Sequence, residues 1–268
     1  MNNDKDSSFR RYKFKSDFVN AGLMFATATL TAAGGFVFQK TTGLPLDSIS
    51  PTLKSLFPLA VGAGVATLTT LNNEPEVGDR YYRGSVSSEN KDILERIFNK
   101  TGYDKSVEIH QFNDSNSDFI AQAVYGGKIY INEAKFNLLD ENGKKRVLGN
   151  GVSRLINKDG VSQNANHWIG VAPSLFLTSV SVLTFNPVSA GLNAAFATGQ
   201  YFLGKKLSRN IEHSADIEGA YLTDVTSKQM EVSMRSYGRK HDTLGGVNSD
   251  SYLSTKKGVI ETARMLLR

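Results

Sequence analysis

The apolar residues of this chain are concentrated in long uncharged runs. No charged residue occurs between Phe18 and Gln39 or between Ser55 and Asn73, and each run approaches the roughly 20 residues that cross a bilayer core. Both runs are rich in Gly, Ala and Thr, a composition typical of helices that pack closely within a membrane. We therefore predict two membrane-spanning helices, with a buried hairpin of a soluble protein as the alternative.

A third uncharged run extends from Trp168 to Gly204 and is interrupted by Asn186 and Pro187. Proline breaks a helix because it lacks the backbone N–H and its ring clashes with the preceding turn. The length of the run and this break together predict a hairpin of two apolar helices, either spanning or re-entrant.

Between Glu74 and Gly160 the pattern changes to that of a soluble region. Apolar positions at helical spacing predict an amphipathic helix over 90–100, and alternating patterns predict strands near 106–112, 117–125 and 127–133. The turn at Gly126 and Gly127 indicates a small antiparallel sheet. Asp140 is the expected N-cap of a further helix that ends near Lys158 and contains Gly149 and Gly151.

Charge and composition narrow the classes of function. Lys and Arg outnumber Asp and Glu by 31 to 26, and no cysteine occurs, so disulfides and thiolate chemistry are excluded. The surplus forms no basic stripe, so we expect no nucleic-acid partner; anionic lipid accounts for it equally well. Four cations lie immediately before the first apolar run: Arg10, Arg11, Lys13 and Lys15. The positive-inside rule places such a segment in the cytoplasm, although Lys40 and Lys54 in the next loop weaken this orientation.

Two segments carry a resemblance to a known family. Residues 140–159 read DENGKKRVLGNGVSRLINKD and follow an A-x-A segment (Ala121, Ala123), while residues 205–223 read KKLSRNIEHSADIEGAYLT. This order resembles the HtpX-like and CAAX-prenyl-protease-like membrane zinc metallopeptidases over roughly residues 80 to 268. In that family the first helix reads approximately L-G-H-E-x-x-H, and the later segment reads S-R-x-x-E-x-x-A-D. The positions that match the later pattern are Ser208, Arg209, Glu212, Ala215 and Asp216.

The resemblance implies an α+β fold, namely a mainly helical, membrane-anchored gluzincin-like metallopeptidase scaffold with a small antiparallel sheet. Together with the basic tail and the uncharged runs, it indicates three parts: a basic N-terminal tail over 1–17, a membrane hairpin of two apolar helices over 18–74, and a peptidase-like domain over 75–268 with the apolar hairpin 168–204 inserted. We therefore expect a multi-pass membrane protein with a cytoplasmic peptidase-like domain.

The chain departs from the family where the chemistry lies. Two histidines at i and i+4 hold zinc, and the glutamate between them activates water; here Asn150, Arg154 and Gly151 occupy those positions. An amide is a poor ligand, a guanidinium repels a cation, and glycine offers no base. We expect no catalytic residue, no zinc and no other cofactor. Of the family's site, the ligand position Glu212 and the supporting Asp216 remain.

We expect Arg154 to form a bidentate ion pair with Glu212, the alternative being that both side chains face solvent. A rebuilt metal site is disfavoured because no histidine has another three or four positions away; the four are His110, His167, His213 and His241. His213 adjoins Glu212, but neighbouring helical residues point about 100 degrees apart. His167, beside Trp168, is more ordinarily an interfacial residue.

Two functions from different classes follow. The first is a catalytically inactive membrane protein that binds a polypeptide or an active protease relative, with the strand near Lys128 to Glu133 as an edge platform. The second is an active zinc metalloendopeptidase with a non-standard ligand set. A lipid-binding structural protein is a third interpretation. Membrane lipid is an expected partner in each.

Overall fold

A computed structural model describes residues 2–42, 81–82, 88–101, 107–113, 120–124, 127–158, 167–229, 231–232 and 261–266. The long helices are α1 (Asn2–Thr42), α2 (Ser88–Thr101), α4 (Glu141–Asn157), α5 (Ala172–Leu183) and α6 (Pro187–Leu222). A short helix, α3 (Glu133–Phe136), follows the last strand, and a π-helical turn (His167–Val171) precedes α5. The structure is mostly helical, with one small sheet. The predicted run 55–73 lies outside the described residues.

The sheet has four strands in the order β1-β2-β4-β3: β1 (Tyr81–Tyr82), β2 (Glu108–Phe112), β3 (Ala121–Val124) and β4 (Lys128–Asn132). The outer pairs β1·β2 and β3·β4 are antiparallel, but the central pair β2·β4 is parallel. The prediction of an antiparallel sheet is therefore wrong at its centre. β2 is joined to β4 through β3, and this connection allows a parallel pairing that no hairpin permits.

The strand predicted to be a free edge is not one. β4 pairs with β2 on one side and with β3 on the other, so its backbone groups are used in both directions. Its residues Ile129, Tyr130 and Ile131 are buried accordingly. The described outer strands are β1 and β3, and β3 contains the A-x-A residues Ala121 and Ala123.

The described residues form two compact units. The first contains those within 1–14, 73–159 and 211–268, and the second contains those within 15–72 and 160–210. In the first unit, one face of α2 (Ile93, Leu94, Ile97) packs with β-strand isoleucines and with Leu148 and Val152 of α4. This confirms the helix predicted over 90–100. The N-cap prediction is also confirmed, because Asp140 Oδ1 accepts a hydrogen bond from Gly143 N at 2.7 Å.

The second unit has the opposite distribution of polarity. Its buried side chains are mainly small or polar: Thr27, Thr31, Ser174, Ser181, Ser189, Asn193 and Gln200. Many of its large apolar side chains are exposed, among them Phe18, Phe25, Phe176, Leu183, Phe185, Val188 and Phe202. A protein surrounded by water buries apolar surface. This unit instead has many apolar side chains on its surface, which is uncommon in water-soluble folds.

The helices of the second unit follow the predicted pattern in part. The hairpin expected over 168–204 is present as α5 and α6, separated by a turn at Thr184–Asn186. Phe18–Gln39 lies within α1, which begins at Asn2, so the basic segment before the apolar run is helical as well. One helix of the described chain, Ser7–Thr41, is by length and composition sufficient to cross a membrane.

Candidate functional site

The candidate site lies in the first unit, where α4 crosses the C-terminal half of α6. The crossing is centred on two glycines: a Cβ placed on Gly149 would lie 2.5 Å from the carbonyl oxygen of Gly219, and one on Gly219 would lie 2.5 Å from Asn150 N. Real Cβ atoms do not approach backbone so closely. The two backbones are therefore in direct contact, and short side chains beside the glycines can bridge the helices.

Asp216 is the centre of the first group of polar contacts at this crossing. Its Oδ1 accepts hydrogen bonds from Asn150 Nδ2 at 2.9 Å and from Arg146 Nη1 at 3.1 Å. The Arg146 side chain is only 10% exposed and that of Asp216 19%, so the charges compensate each other in a largely desolvated setting. Asn150, at the first expected zinc-ligand position, thus faces the retained acidic residue of α6.

Arg154 and Glu212 form the second contact. Arg154 Nη2 lies 3.9 Å from Glu212 Oε1, and the two side chains are 28% and 55% exposed. This distance exceeds that of a hydrogen bond, and Arg154 Nε is buried without a hydrogen-bond partner among the described residues. The predicted pairing is therefore present as a long, partly solvated ion pair, and the predicted bidentate geometry is absent from it.

Gly151 occupies the position expected for the general base. It is buried, and a Cβ there would lie 3.3 Å from Ile129 Cδ1 of β4. This contact is tighter than most real Cβ contacts. A side chain at position 151 would thus begin in tight contact with a buried strand residue.

A second carboxylate, which the sequence patterns did not indicate, lies on the neighbouring face of α6. Glu218 is buried, and its Oε2 accepts hydrogen bonds from Ser153 Oγ at 2.6 Å and from Asn157 Nδ2. Lys13 Nζ of α1 lies 3.8 Å from the same oxygen. One feature of the sequence could have indicated this contact. Ser153 and Asn157 are four residues apart, which places two short polar groups on one face of α4.

The N-terminal part of α1 packs beside this carboxylate. Phe9 is buried, and its ring stacks on that of Tyr221 with centroids 4.0 Å apart. Phe9 also belongs to a core cluster with Ile217, Ala220 and Val225. Phe9, which lies within the segment predicted as a basic tail, is thus part of the first unit's core.

The histidines lie in different surroundings. Burial lowers the pKa of His213, while nearby Asp216 opposes that shift; its Nε2 is buried and finds no hydrogen-bond partner in the described part of the chain. The His110 ring stacks on Tyr130, with Nε2 3.1 Å from Glu108 Oε2. His167 begins the π-helical turn, and His241 lies outside the described residues.

The residues at the expected ligand positions do not fit a zinc ion. The Asn150 amide nitrogen donates to Asp216, and the Arg154 guanidinium faces the carboxylate that would be the third ligand. A cation placed among these groups would meet the permanent charges of Arg154 and Arg146. Among the described residues, no group of three or more histidines and carboxylates is arranged to hold a metal.

This arrangement can hold α4 and α6 together through buried ion-pair and amide contacts. It leaves the Arg154 side chain partly accessible to solvent. The fold brings together Asn150, Arg154, Glu212 and Asp216, and it places Gly151 against β4. Comparison with known proteins finds no family model and no curated protein that matches the chain.

Proposed function

We propose that this protein is a membrane-bound, non-catalytic relative of the HtpX-like zinc metallopeptidases that binds polypeptide rather than cleaving it. The observation that carries the proposal is the crossing at Gly149 and Gly219. It brings Asn150 and Arg154, one turn apart on α4, opposite Asp216 and Glu212 on α6. These are the positions whose proximity the resemblance requires, although they are far apart in sequence.

The side chains at those positions support loss of catalysis rather than a changed mechanism. Hydrolysis by the family's chemistry needs two neutral imidazoles and a general base. Here the first position is used in a hydrogen bond to Asp216, and the base position is occupied by a glycine packed on Ile129. The role we assign to this crossing is structural: buried polar contacts between α4 and α6 replace a metal crosslink.

A membrane location is supported by the second unit. Its exposed phenylalanines and leucines and its buried Ser, Thr, Asn and Gln side chains suit a lipid environment, where polar groups are satisfied within the protein. We propose that α1 and the α5–α6 hairpin are both embedded, with the basic segment Arg10 to Lys15 on the cytoplasmic side.

For polypeptide binding, the supporting feature is β3. It pairs with β4 on one side and is an outer strand of the described sheet, so its other edge can receive an added strand. Ala121 and Ala123 pack toward the core, so their side chains do not obstruct a strand added at this edge. This assignment replaces the strand 128–133, which is paired on both sides.

Two measurements test the proposal. The first is the zinc content of the detergent-purified native chain and of a variant with Asn150→His, Gly151→Glu, Arg154→His and Ile129→Ala. We expect substoichiometric zinc in the native chain and more in the variant, where Ile129→Ala makes room for the new glutamate. Stoichiometric zinc in the native chain would overturn the proposal and favour an active metallopeptidase with a non-standard ligand set.

The second is photo-crosslinking to unfolded casein. A benzoyl-phenylalanine at position 122 of β3 is expected to crosslink, whereas the same residue at the exposed position 91 of α2 is the matched control. Equal crosslinking at both positions would exclude β3 as the binding edge.

A further inference from the structure

Among the described residues of the second unit, the charged ones lie only near its ends. In its described part, α1 carries Lys15 and Asp17 before its apolar stretch and Lys40 after it. The α5–α6 hairpin has no charge until Lys205, Lys206 and Arg209. Between these positions both helices are uncharged for about the length that crosses a bilayer core.

Contacts within this unit show which charges share an end. Asn186 Nδ2 donates to Thr41 O at 2.8 Å, which joins the start of α6 to the end of α1 beside Lys40. Further along, Gln200 contacts Thr31 at 2.9 Å, and Gly199 lies near Leu30. The two helices therefore run antiparallel. Lys205, Lys206 and Arg209 lie at the end opposite Lys40, toward Lys15.

The basic residues of α6 form an ordered series with two aromatic residues. Tyr201 and Phe202 precede Lys205 and Lys206 by one helical turn, and Arg209 follows after another. All five side chains are exposed. Lys205 Nζ lies 4.6 Å from the Tyr201 ring centroid, so this cation lies over the ring on the surface of α6. We call Lys205, Lys206 and Arg209 the basic collar.

We propose that the basic collar binds the headgroups of anionic phospholipids in the leaflet at that end of the second unit. This inference rests on the membrane location proposed above. Aromatic rings are favoured at the boundary of the hydrocarbon core, and cations just beyond them are attracted to anionic headgroups. Charge complementarity favours this partner, since, among the described residues of the unit, Asp17 is the one acidic residue and Lys40 is the one cation at the far end.

The chain contains its own probe, because Trp168 is its single tryptophan and is partly exposed in the second unit. The full-length protein is reconstituted into vesicles of phosphatidylcholine and phosphatidylglycerol. Bromine on the acyl chains of one or the other lipid quenches a nearby tryptophan. Titrating each brominated lipid against its unbrominated partner gives the relative association constant of the two lipids.

We expect phosphatidylglycerol to be preferred by the native protein by at least about fivefold, on the scale of one cation near an anionic surface. In the variant Lys205→Gln, Lys206→Gln, Arg209→Gln, this ratio should fall toward one. Lys40→Gln, at the opposite end, should leave it unchanged. The charge-preserving pair Lys205→Arg and Lys206→Arg should retain the preference, which separates loss of charge from misfolding.

The outcomes of this experiment distinguish failure of the lipid-binding inference from failure of the proposed membrane location on which it rests. Equal quenching by the two brominated lipids in the native protein would overturn the collar while leaving the membrane location intact. A preference that survives in the triple variant would also overturn it. Failure of either lipid to quench Trp168 would instead overturn the membrane location itself.

Discussion

Gly149 and Gly219 touch backbone to backbone, with space for no side chain on either residue. This contact sets the distance between α4 and α6 at which an asparagine or a serine can reach a carboxylate on the opposite helix. Asn150 then reaches Asp216, and Ser153 reaches Glu218. Each glycine is less favourable in a helix interior than alanine by about 1 kcal/mol, and the close crossing offsets that penalty.

Gly149→Ala is expected to lower the free energy of unfolding by about 1–3 kcal/mol, the range for an overpacked core, because a methyl group would meet the Gly219 carbonyl. Chemical unfolding of the native and variant proteins measures the difference. Gly22→Ala is the matched control, since a Cβ there meets no described atom within 4 Å. Equal effects of the two substitutions would contradict the close crossing.

Glu218→Gln is expected to destabilise the protein by about 1.5–3 kcal/mol, the range for hydrogen bonds to charged groups. Ser153 and Asn157 would lose a charged acceptor, and Lys13 would lose its partner. Glu212→Gln, on the same helix, is the control: that side chain is 55% exposed and its contact is long, so we expect a change within about 0.5 kcal/mol. A larger loss for Glu212→Gln than for Glu218→Gln would refute this ranking.

Stability should depend on pH through His213. Burial lowers the pKa of this histidine in the folded protein, so the unfolded chain takes up a proton first as the pH falls. The resulting stabilisation is complete above the unfolded pKa of about 6.5 and is lost below it. Unfolding free energies measured from pH 8 to pH 5 should therefore fall less steeply for His213→Gln than for the native protein. Parallel curves would show that His213 does not contribute.

In the second unit, Gln200→Leu is expected to weaken helix association by about 0.6–2 kcal/mol. With its amide nitrogen toward Ser174 Oγ (2.8 Å) and Gly170 O (2.9 Å), Gln200 presents its oxygen to Thr31 Oγ1 at 2.9 Å. Leucine would leave these groups without that partner. Thr198→Ala is the control, because that exposed hydroxyl bonds to its own helix at Ala194 O. The free energy of unfolding of both variants is measured in mixed detergent micelles. A larger loss of stability for Thr198→Ala than for Gln200→Leu would contradict the prediction.

The helices were predictable because their signals are local. Asp140 was recognised as an N-cap from the sequence next to it, and the break at Asn186 and Pro187 was recognised from proline chemistry. The sheet was not predictable to the same degree. Alternation along β2 and β4 indicates strands, but it carries no information on which strand lies beside which. A parallel pair at the centre of the sheet therefore escaped prediction.

The candidate site was predicted in its membership more than in its contacts. The motifs of the resemblance grouped Asn150, Arg154, Glu212 and Asp216, and the helix crossing places these residues together. They assigned the main ion pair to Arg154, whereas the shorter contacts belong to Arg146 and Asn150 with Asp216. Which arginine approaches a carboxylate depends on how α4 is rotated about its own axis where it meets α6. That rotation is set by the contact with Gly219, which lies far away in the sequence.

The core cluster that contains Phe9 also contains Ile217, Val225 and Ala263. This cluster therefore joins residues that are far apart in the sequence. During synthesis, Phe9 leaves the ribosome long before its partners do, and closure of so long a loop is entropically slow. The helical turns around Phe9 must wait in an incomplete environment, so we expect a chaperone or the membrane surface to shield Phe9 until its partners have been made. The timing of translation, as much as the final contacts, then governs the yield of folded protein.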